Sequence, residues 1–476
     1  MFHKPFVLGK LNVLCGLPDC MRRFRLAFFS IPFSLLLLII PVHAGAACPD
    51  LSGYYPSDGV NWPILSRQLA PMLEDCLENA EYFALYGAAQ LNSGNVAEAT
   101  ESLERALLLE PEYGAAQIDY AQALYLQGQL FSALELNKAL LGREDLPPKL
   151  QTIIQSRQRS WQALTTERSA QLDVLAGYDS NLNGAPDPDQ ITLTLSGGPV
   201  LLDLSEEFRP QSGPYLNFRL GNRYRQLAPQ HQHNWLTEVR GRVSEDTDSN
   251  LLQLDSRYSF IKPGRNQSWQ VDAGVGYLQF GGSSLYTAAD VRVRYQQPSQ
   301  LKCTPYYGLA LQQQFFHGQT DLNALESKAS AGMICPIGNS RGPQQLGVEV
   351  SLLTNTANDV RRLDANQLPT SNDSGRVGGD RDGWQVNLDW RASLPIGDFR
   401  GQLSHTRFND SDRYFRLVGG GVRRSLSRSY VLLQYRRPLR PDMTLLLNLY
   451  HQNQHSNLEL FRSVDTTLEI GVSLAF

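Results

Sequence analysis

The sequence has no surplus of either charge: 43 Lys and Arg residues stand against 47 Asp and Glu residues, for a net charge of −4. This balance provides neither the polycationic surface that binds nucleic acid nor an acidic tail. After residue 46 the sequence also lacks any apolar run of about 18 residues, the length that a transmembrane helix needs. Any membrane crossing by the remaining chain must therefore be made of strands.

Catalytic motifs are also missing from the sequence. It contains no GxSxG, no HExxH and no P-loop. Ser404 and His405 adjoin on a predicted strand, where barrel lining explains them better than a nucleophile and its base. His231 and His233 lack a third metal ligand. We therefore predict no enzymatic activity, no metal site and no cofactor.

A leader segment is present near the start of the chain. Arg22, Arg23 and Arg25 precede an apolar run over residues 28–42, and small residues follow at 44–46. A basic segment, an apolar segment and a small-residue cleavage site together predict a Sec signal peptide over residues 1–46. The stretch before Met21 is an unusual extension for a signal peptide, so Met21 is an alternative start.

Six cysteines are present, and two of them fall in the leader. The other four form two local pairs, Cys48 with Cys76 and Cys303 with Cys335. A hairpin that turns around Gln319 would place Cys303 opposite Cys335, Leu309 opposite Ala329 and Leu311 opposite Ser327. No CxxC spacing occurs, and the leader directs the chain to an oxidising compartment, so we expect disulfides rather than metal ligation. The alternative for the first pair is a lipidated Cys48, which would leave Cys76 unpaired.

Residues 80–168 carry a helical pattern with a period of 34 residues, so that Gly94 falls on Gly128 when the region is shifted on itself. A period of this length resembles the tetratricopeptide repeat. In the first copy, Gly87 would let two helices approach each other. Gly94 would end the first helix, and Pro111 would stop the second. We predict a repeat domain of about two copies.

The predicted repeat domain follows an N-terminal segment at 47–79 and ends in a third helical stretch over 150–168. Its role has two open interpretations. The domain either plugs or braces a neighbouring domain, or its concave face binds a polypeptide segment. The residues that we expect on this face are Asn92, Gln122 and Tyr125.

From residue 169 to 476 the helical period gives way to segments of about ten residues in which apolar and polar residues alternate. In the last segment, Leu468, Ile470 and Val472 alternate with polar or small residues. We predict an antiparallel transmembrane β-barrel of about fourteen strands, an even number as bacterial barrels require. Residues 191–204 are either a hairpin in the first outer loop or two further strands, which would make sixteen. The order of the strands also predicts outer loops at 245–250, 356–383 and 409–427. The fold class is thus α plus β in separate domains.

The C-terminal strand resembles the signal that the outer-membrane barrel assembly machinery recognises. The residues that carry this resemblance are Gly471, Leu474 and Phe476. It implies that the assembly machinery and outer-membrane lipid are partners of the chain. We expect the protein in the outer membrane, with the repeat domain in the periplasm.

The most distinctive motif lies where the first strand opens into its loop, at residues 177–186. Here the sequence resembles the surface lipoprotein assembly modifier family, which joins periplasmic tetratricopeptide repeats to a fourteen-stranded barrel. The matching positions are Asp179, Asn181, Asn183, Ala185 and Pro186. Physically, Asn and Asp side chains cap their own backbone in turns, which favours a structural role for the motif.

The resemblance implies an outer-membrane translocation or display factor that moves a surface protein or lipoprotein as its cargo. The alternative is a porin that exports a polysaccharide or a solute and whose repeats dock other periplasmic machinery. An outer-membrane enzyme comes third. An open lumen with a ring of charge would favour the porin, whereas a weak seam between the first and last strands would favour the translocation factor.

Overall fold

The computed structural model describes residues 47–55, 60–264, 267–297, 302–338, 342–361 and 375–476. The predicted signal peptide at 1–46 lies outside the described residues. Within them, an all-helical part precedes an all-strand part. None of the described helices combines the length and the apolar composition that a bilayer-spanning helix requires.

Six α-helices build the N-terminal part of the described chain. They are α1 (Trp62–Leu69), α2 (Ala80–Asn92), α3 (Val96–Leu109), α4 (Gly114–Leu126), α5 (Leu130–Leu141) and α6 (Pro148–Ala163). Asn79 caps α2, because its side chain accepts a hydrogen bond from the amide of Tyr82 at 2.8 Å. Gly94 follows the end of α2 with a φ of 88°, a conformation that favours glycine.

The helices form two pairs in the predicted 34-residue period, α2 with α3 and α4 with α5. A Cβ added to Gly87 would lie 2.6 Å from Cγ of Leu103, so this glycine lets α2 and α3 approach closely, as predicted. Helix α1 joins the same core, since Leu69 and Tyr82 are both fully buried in it. The helical domain therefore begins within the segment at 47–79, which carries part of its core.

Sixteen strands follow the helices in the described residues. They are β1 (Thr166–Asp179), β2 (Gln190–Leu195), β3 (Gly198–Asp203), β4 (Gly213–Leu227), β5 (Gln232–Ser244), β6 (Leu251–Lys262), β7 (Ser268–Phe280), β8 (Ser283–Gln296), β9 (Thr304–Phe316), β10 (Ala324–Pro336), β11 (Gln344–Ala357), β12 (Arg381–Leu394), β13 (Gly397–Arg413), β14 (Arg423–Arg440), β15 (Met443–Ser456) and β16 (Ser463–Ala475). Fourteen of them close into an antiparallel barrel in which β1 pairs with β16 and β4. Strands β2 and β3 form a separate hairpin. The predicted count of fourteen is confirmed, and the sixteen-strand alternative is wrong.

The two faces of the barrel wall differ because successive side chains on a strand point to opposite sides. Apolar residues face outward, among them Leu449, Leu468 and Ile470, all of which are exposed. The strand ends nearest the helical domain carry outward aromatic residues, namely Tyr224, Trp235, Tyr258, Phe260, Trp269, Tyr295, Tyr307, Trp390, Phe399 and Tyr435. An apolar band with an aromatic girdle is the surface of a transmembrane barrel.

Two predicted boundaries differ from the structure. Helix α6 ends at Ala163 and β1 begins at Thr166, whereas the sequence predicted helix up to residue 168. Pairing with β4 decides this boundary, since Thr166 lies opposite Gln226 in the sheet. The predicted outer loop at 409–427 is also shorter in the structure. Strand β13 continues to Arg413 and β14 begins at Arg423, so the two strands pair beyond the predicted loop boundary.

Candidate functional site: the barrel lumen and the loop after the first strand

The inward face of the barrel is polar and charged. Its alternating positions on β6 to β14 line a cavity of about 810 Å³. Ion pairs join strands of the barrel wall around this cavity, either across one intervening strand or between neighbours. Arg257 contacts Asp290 at 2.9 Å, and Lys328 contacts Glu349 at 2.9 Å. The lumen is therefore a hydrated, charge-lined space, as expected of a channel barrel.

The end of the cavity farther from the start of β1 holds a cluster of charges on β12, β13 and β14. Asp410 lies 3.1 Å from Nε of Arg424 and 3.5 Å from Nε of Arg381. Arg376, in the loop before β12, is almost fully buried, and its guanidinium donates to the backbone oxygen of Asn355 at 2.6 Å. One carboxylate is thus shared by two arginines, beside a third arginine that is bound to the backbone.

The motif after β1 anchors the loop between β1 and β4. Asp179 accepts hydrogen bonds from the amide of Asn181 and from Nη1 of Arg242, both at 2.8 Å. The side chain of Asn181 accepts a hydrogen bond from the amide of Ala185 and donates one to the carbonyl oxygen of Ala185, both at 2.9 Å. These contacts confirm that the Asp and Asn side chains cap local backbone groups.

The same motif also connects the loop to distant parts of the chain. Asn181 donates to the carbonyl oxygen of Val464 on β16, and Asn183 donates to that of Arg209 at 2.9 Å. Pro186 follows the buried Ala185, and the amide of the next residue, Asp187, donates to the carbonyl oxygen of Arg462. The motif therefore fixes the loop over the point where β1 and β16 meet.

Strands β1 and β16 close the barrel through nine paired positions, from Gln171 to Asp179 on β1. Ala170 and Phe476 extend this pairing with two backbone hydrogen bonds of 2.8 and 2.9 Å. At the other end, the amide of Ser180 donates to Thr466 at 3.1 Å. Gly471 and Leu474, which belong to the predicted assembly signal, lie in this seam. The seam is paired along its length in the closed barrel.

The predicted partner-binding residues of the helical domain lie in different surroundings. Asn92 is exposed, and its side chain donates to the carbonyl oxygen of Ala88 at 2.8 Å. Gln122 is half-buried on α4. The ring of Tyr125 stacks on Trp161 of α6, with ring centroids 4.8 Å apart. Tyr125 thus joins α4 to the capping helix.

A buried polar network in the helical domain was not anticipated from the sequence. Asn137 is fully buried on α5, where it donates to Gln158 at 2.8 Å and accepts from Nη2 of Arg157 at 2.6 Å. Burial raises the pKa of the nearby Asp119 to about 6, and the charge of Arg157 opposes this rise. The sequence feature that could have indicated this network is Asn137, a polar residue at a position of α5 where the helical pattern requires an apolar one.

The histidine and serine positions considered for chemistry are separated or otherwise occupied. Ser404 donates to Asn387 inside the barrel at 2.6 Å, whereas His405 faces outward beside Trp384. His231 and His233 contact each other edge to face. Among the described residues, no group of three His, Cys, Asp or Glu side chains is placed to hold a metal ion.

Both predicted disulfides are present, Cys48–Cys76 in the helical domain and Cys303–Cys335 at the base of β9 and β10. The predicted register around the second bond is also confirmed. Leu309 lies opposite Ala329, and Leu311 lies opposite Ser327. The hairpin between these strands therefore turns where the sequence predicted.

Comparisons with known proteins identify the repeats. A tetratricopeptide repeat family model matches residues 90–155, which lie within α2 to α6. No curated protein matches the chain. The chain is similar to the crystal structure of a Pseudomonas aeruginosa FadL homologue, with 10% identity, a TM-score of 0.37, and 65% of this chain and 90% of that chain covered. It is also similar to the outer membrane channel DcaP of Acinetobacter baumannii, with 11% identity, a TM-score of 0.35, and 65% and 97% covered.

A further similarity is to the Yersinia enterocolitica type III secretion chaperone SycD in complex with a peptide of the translocator YopD. The identity is 16% and the TM-score 0.20, with 22% of this chain and 81% of that chain covered. The family match thus supports the repeats. It does not extend to the assembly modifier family that the motif at 177–186 resembles.

Proposed function

We propose that this protein is an outer-membrane translocation factor that moves a polypeptide cargo from the periplasm to the cell surface without chemical catalysis. The observation that carries this proposal is the direct junction of the repeat domain with the barrel. Helix α6 ends at Ala163 and β1 begins at Thr166. The amide of Leu227 on β4 donates to Thr165 at 2.7 Å, so the connection is part of the sheet.

This junction supports the proposal because tetratricopeptide repeats present extended concave surfaces to polypeptides. A polypeptide held on the repeats would lie next to the base of the barrel. Short turns occupy this end, which favours its placement on the periplasmic side. The helix face with Asn92, Gln122 and Tyr125 is then the first contact of the cargo.

The resemblance at Asp179, Asn181, Asn183, Ala185 and Pro186 supports a surface lipoprotein as the cargo. The test is protease accessibility of candidate surface lipoproteins in intact cells. Deleting residues 47–163, which include the whole helical core, should abolish surface exposure of the cargo. The barrel should still insert, and a heat-modifiable band in the outer-membrane fraction would show this.

A point variant refines the test without removing the domain. Gln122→Ala should weaken cargo binding, because Gln122 is half-buried on the proposed face of α4. The matched control is Gln151→Ala at an exposed position of α6. If surface proteins remain accessible in both the deletion strain and the Gln122→Ala strain, the proposal is wrong.

A second candidate function is export of a polar polymer or solute through the lumen. The charged cavity on β6 to β14 favours this candidate, and so does the seam between β1 and β16, which is paired along its length and lacks the weakness expected of a translocation factor. In that case, deleting the gene should change polymer secretion or solute uptake and leave surface lipoproteins unchanged. The repeats would then dock other periplasmic machinery.

A further inference from the structure

The lumen cavity presents more positive than negative charge. Seven cationic and five acidic side chains of the described residues line it, an excess of two cations. Its volume of about 810 Å³ falls within the range of sites that enclose small ligands or short segments. The cavity is therefore large enough to hold a ligand, and its charge would favour an anion.

Asp290 and Asp410 lie deeper in the wall than Arg257, Arg292 and Arg381, which pair with them, whereas Arg424 is as deeply buried as its partner Asp410. The side chain of Asp290 is 7% exposed, whereas its partners Arg257 and Arg292 are 31% and 50% exposed. Asp410 is 2% exposed beneath Arg381 at 28%. A ligand in the cavity would therefore meet guanidinium groups first, and the carboxylates would set their positions from behind.

Two cavity arginines have no acidic partner. The guanidinium of Arg428 donates to Oε1 of Gln454 at 2.8 and 2.6 Å, a neutral acceptor. Arg294 lies over the ring of Tyr306, with its Cζ atom 4.7 Å from the centroid. Among the described residues, neither arginine forms an ion pair, in contrast to Arg257, Arg292 and Arg381. Their charges remain available to an incoming anion.

We propose that this cavity binds the carboxylates of an acidic polypeptide segment, and that Arg294 and Arg428 supply the unneutralised charge. Guanidinium groups bind carboxylates through two parallel hydrogen bonds. This assignment rests on the proposed function. It adds that the cargo segment that passes through the lumen is acidic. Phe408 is the one aromatic residue among the described residues of the lining. Since sugar rings pack best on aromatic faces, the lining fits a peptide better than an acidic carbohydrate.

The test uses the full chain purified in detergent micelles and isothermal titration calorimetry with three probes. They are a tetraglutamate peptide, a tetralysine peptide and a tetragalacturonate oligosaccharide. Tetraglutamate should bind most tightly, and its affinity should fall as salt increases. Arg428→Gln and Arg294→Gln should each weaken its binding by about tenfold, as for the loss of one charge-assisted hydrogen bond.

The matched control is Arg391→Gln, which removes an inward arginine of β12 that pairs with Asp389 outside the cavity. It should leave binding of tetraglutamate unchanged. An equal loss in the control variant would mean a general charge effect and would overturn the assignment. Absence of tetraglutamate binding, or equally tight binding of tetralysine, would also overturn it. Tighter binding of tetragalacturonate would reject the peptide as occupant in favour of an acidic carbohydrate.

Heat modification on electrophoresis shows whether each variant barrel is folded before the titration. Surface display of the cargo in cells then separates the two proposals. If Arg428→Gln loses tetraglutamate binding but cargo display persists, the anion site stands and passage of the cargo through the lumen is wrong. If the wild-type barrel binds no tetraglutamate while the repeat deletion abolishes display, the cavity assignment alone fails.

Discussion

Arg242 on β5 and Asp179 at the end of β1 form an ion pair of 2.8 Å across 63 residues of sequence. The carboxylate is 4% exposed and the arginine 19%. Nη2 of the same arginine donates to the carbonyl oxygens of Leu182 at 2.7 Å and Ser249 at 3.0 Å. One guanidinium therefore joins the loop after β1 and the loop after β5 to the end of the first strand.

Arg242→Gln should destabilise the barrel, because it leaves the carboxylate of Asp179 buried without its partner. Removal of one partner from a buried ion pair typically costs about 3–5 kcal/mol. The temperature at which the barrel loses its heat-modifiable mobility should fall. Arg225→Gln is the control, since Arg225 and Glu167 form an exposed pair at 3.4 Å. An equal fall in both variants would show that the buried pair of Arg242 and Asp179 stabilises the barrel no more than the exposed pair does.

The stability of the helical domain should depend on the ionisation of Asp119. Burial raises the pKa of this carboxyl from 3.8 to about 6. The folded state thus holds the proton more tightly than the unfolded chain does. The contribution to stability is complete below pH 3.8 and is lost as the pH rises to about 6. Urea unfolding of the full chain, followed by helical circular dichroism, should show this loss.

Asp119→Asn should flatten the pH dependence of unfolding in this window, because an amide does not titrate there. Glu135→Gln, at an exposed position of α5, is the matched control and should retain the dependence. If the free energy of unfolding of the wild-type helical domain instead rises between pH 4 and 6, the sign of the prediction is wrong.

Gly471 should be required for closure of the barrel. A Cβ at this position would lie 2.0 Å from the carbonyl oxygen of Val174 on β1, so the backbone at the seam must shift. Gly471→Ala should reduce the heat-modifiable fraction of the protein in the outer membrane. Gly221→Ala on β4 is the control, because a Cβ there meets no atom within 4 Å. Normal folding of the Gly471→Ala variant would show that a Cβ at this position does not prevent closure of the barrel.

Loss of the Cys303–Cys335 disulfide should destabilise the barrel selectively. The bond spans 32 residues, and the entropy model gives about 3–4 kcal/mol for a loop of this size. Replacing both cysteines with serine should lower the temperature of heat modification. The same replacement of Cys48 and Cys76 should affect helical unfolding and leave the barrel transition unchanged. Mass spectrometry of non-reduced peptides tests the pairing itself, and free thiols at 303 and 335 would refute it.

Much of the fold could be predicted from local patterns in the sequence. Two-residue alternation predicted the fourteen barrel strands, and a 34-residue period predicted the helix pairs around Gly87. The Asp and Asn side chains at 179–183 predicted a capped turn. The anionic preference proposed for the lumen could not be predicted, because Arg294 and Arg428 look like the other arginines in the sequence. Their difference lies in the positions paired with them on the neighbouring strands, since Gln270 and Gly308 lie opposite Arg294, and Thr406 and Gln454 lie opposite Arg428, and none of these is a carboxylate.

The sequence by itself determined which side of each strand is apolar, where the repeats lie and which cysteines are near each other in the chain. These features depend on spacings of a few residues, which fix the direction of a side chain. The tertiary structure decided that residues 190–203 form a hairpin outside the barrel, since strands β2 and β3 pair only with each other in the sheet order. It also decided that Asn181 reaches Val464 across 283 residues. Barrel closure sets such contacts, because it brings together strands whose distance along the chain carries no information about their pairing.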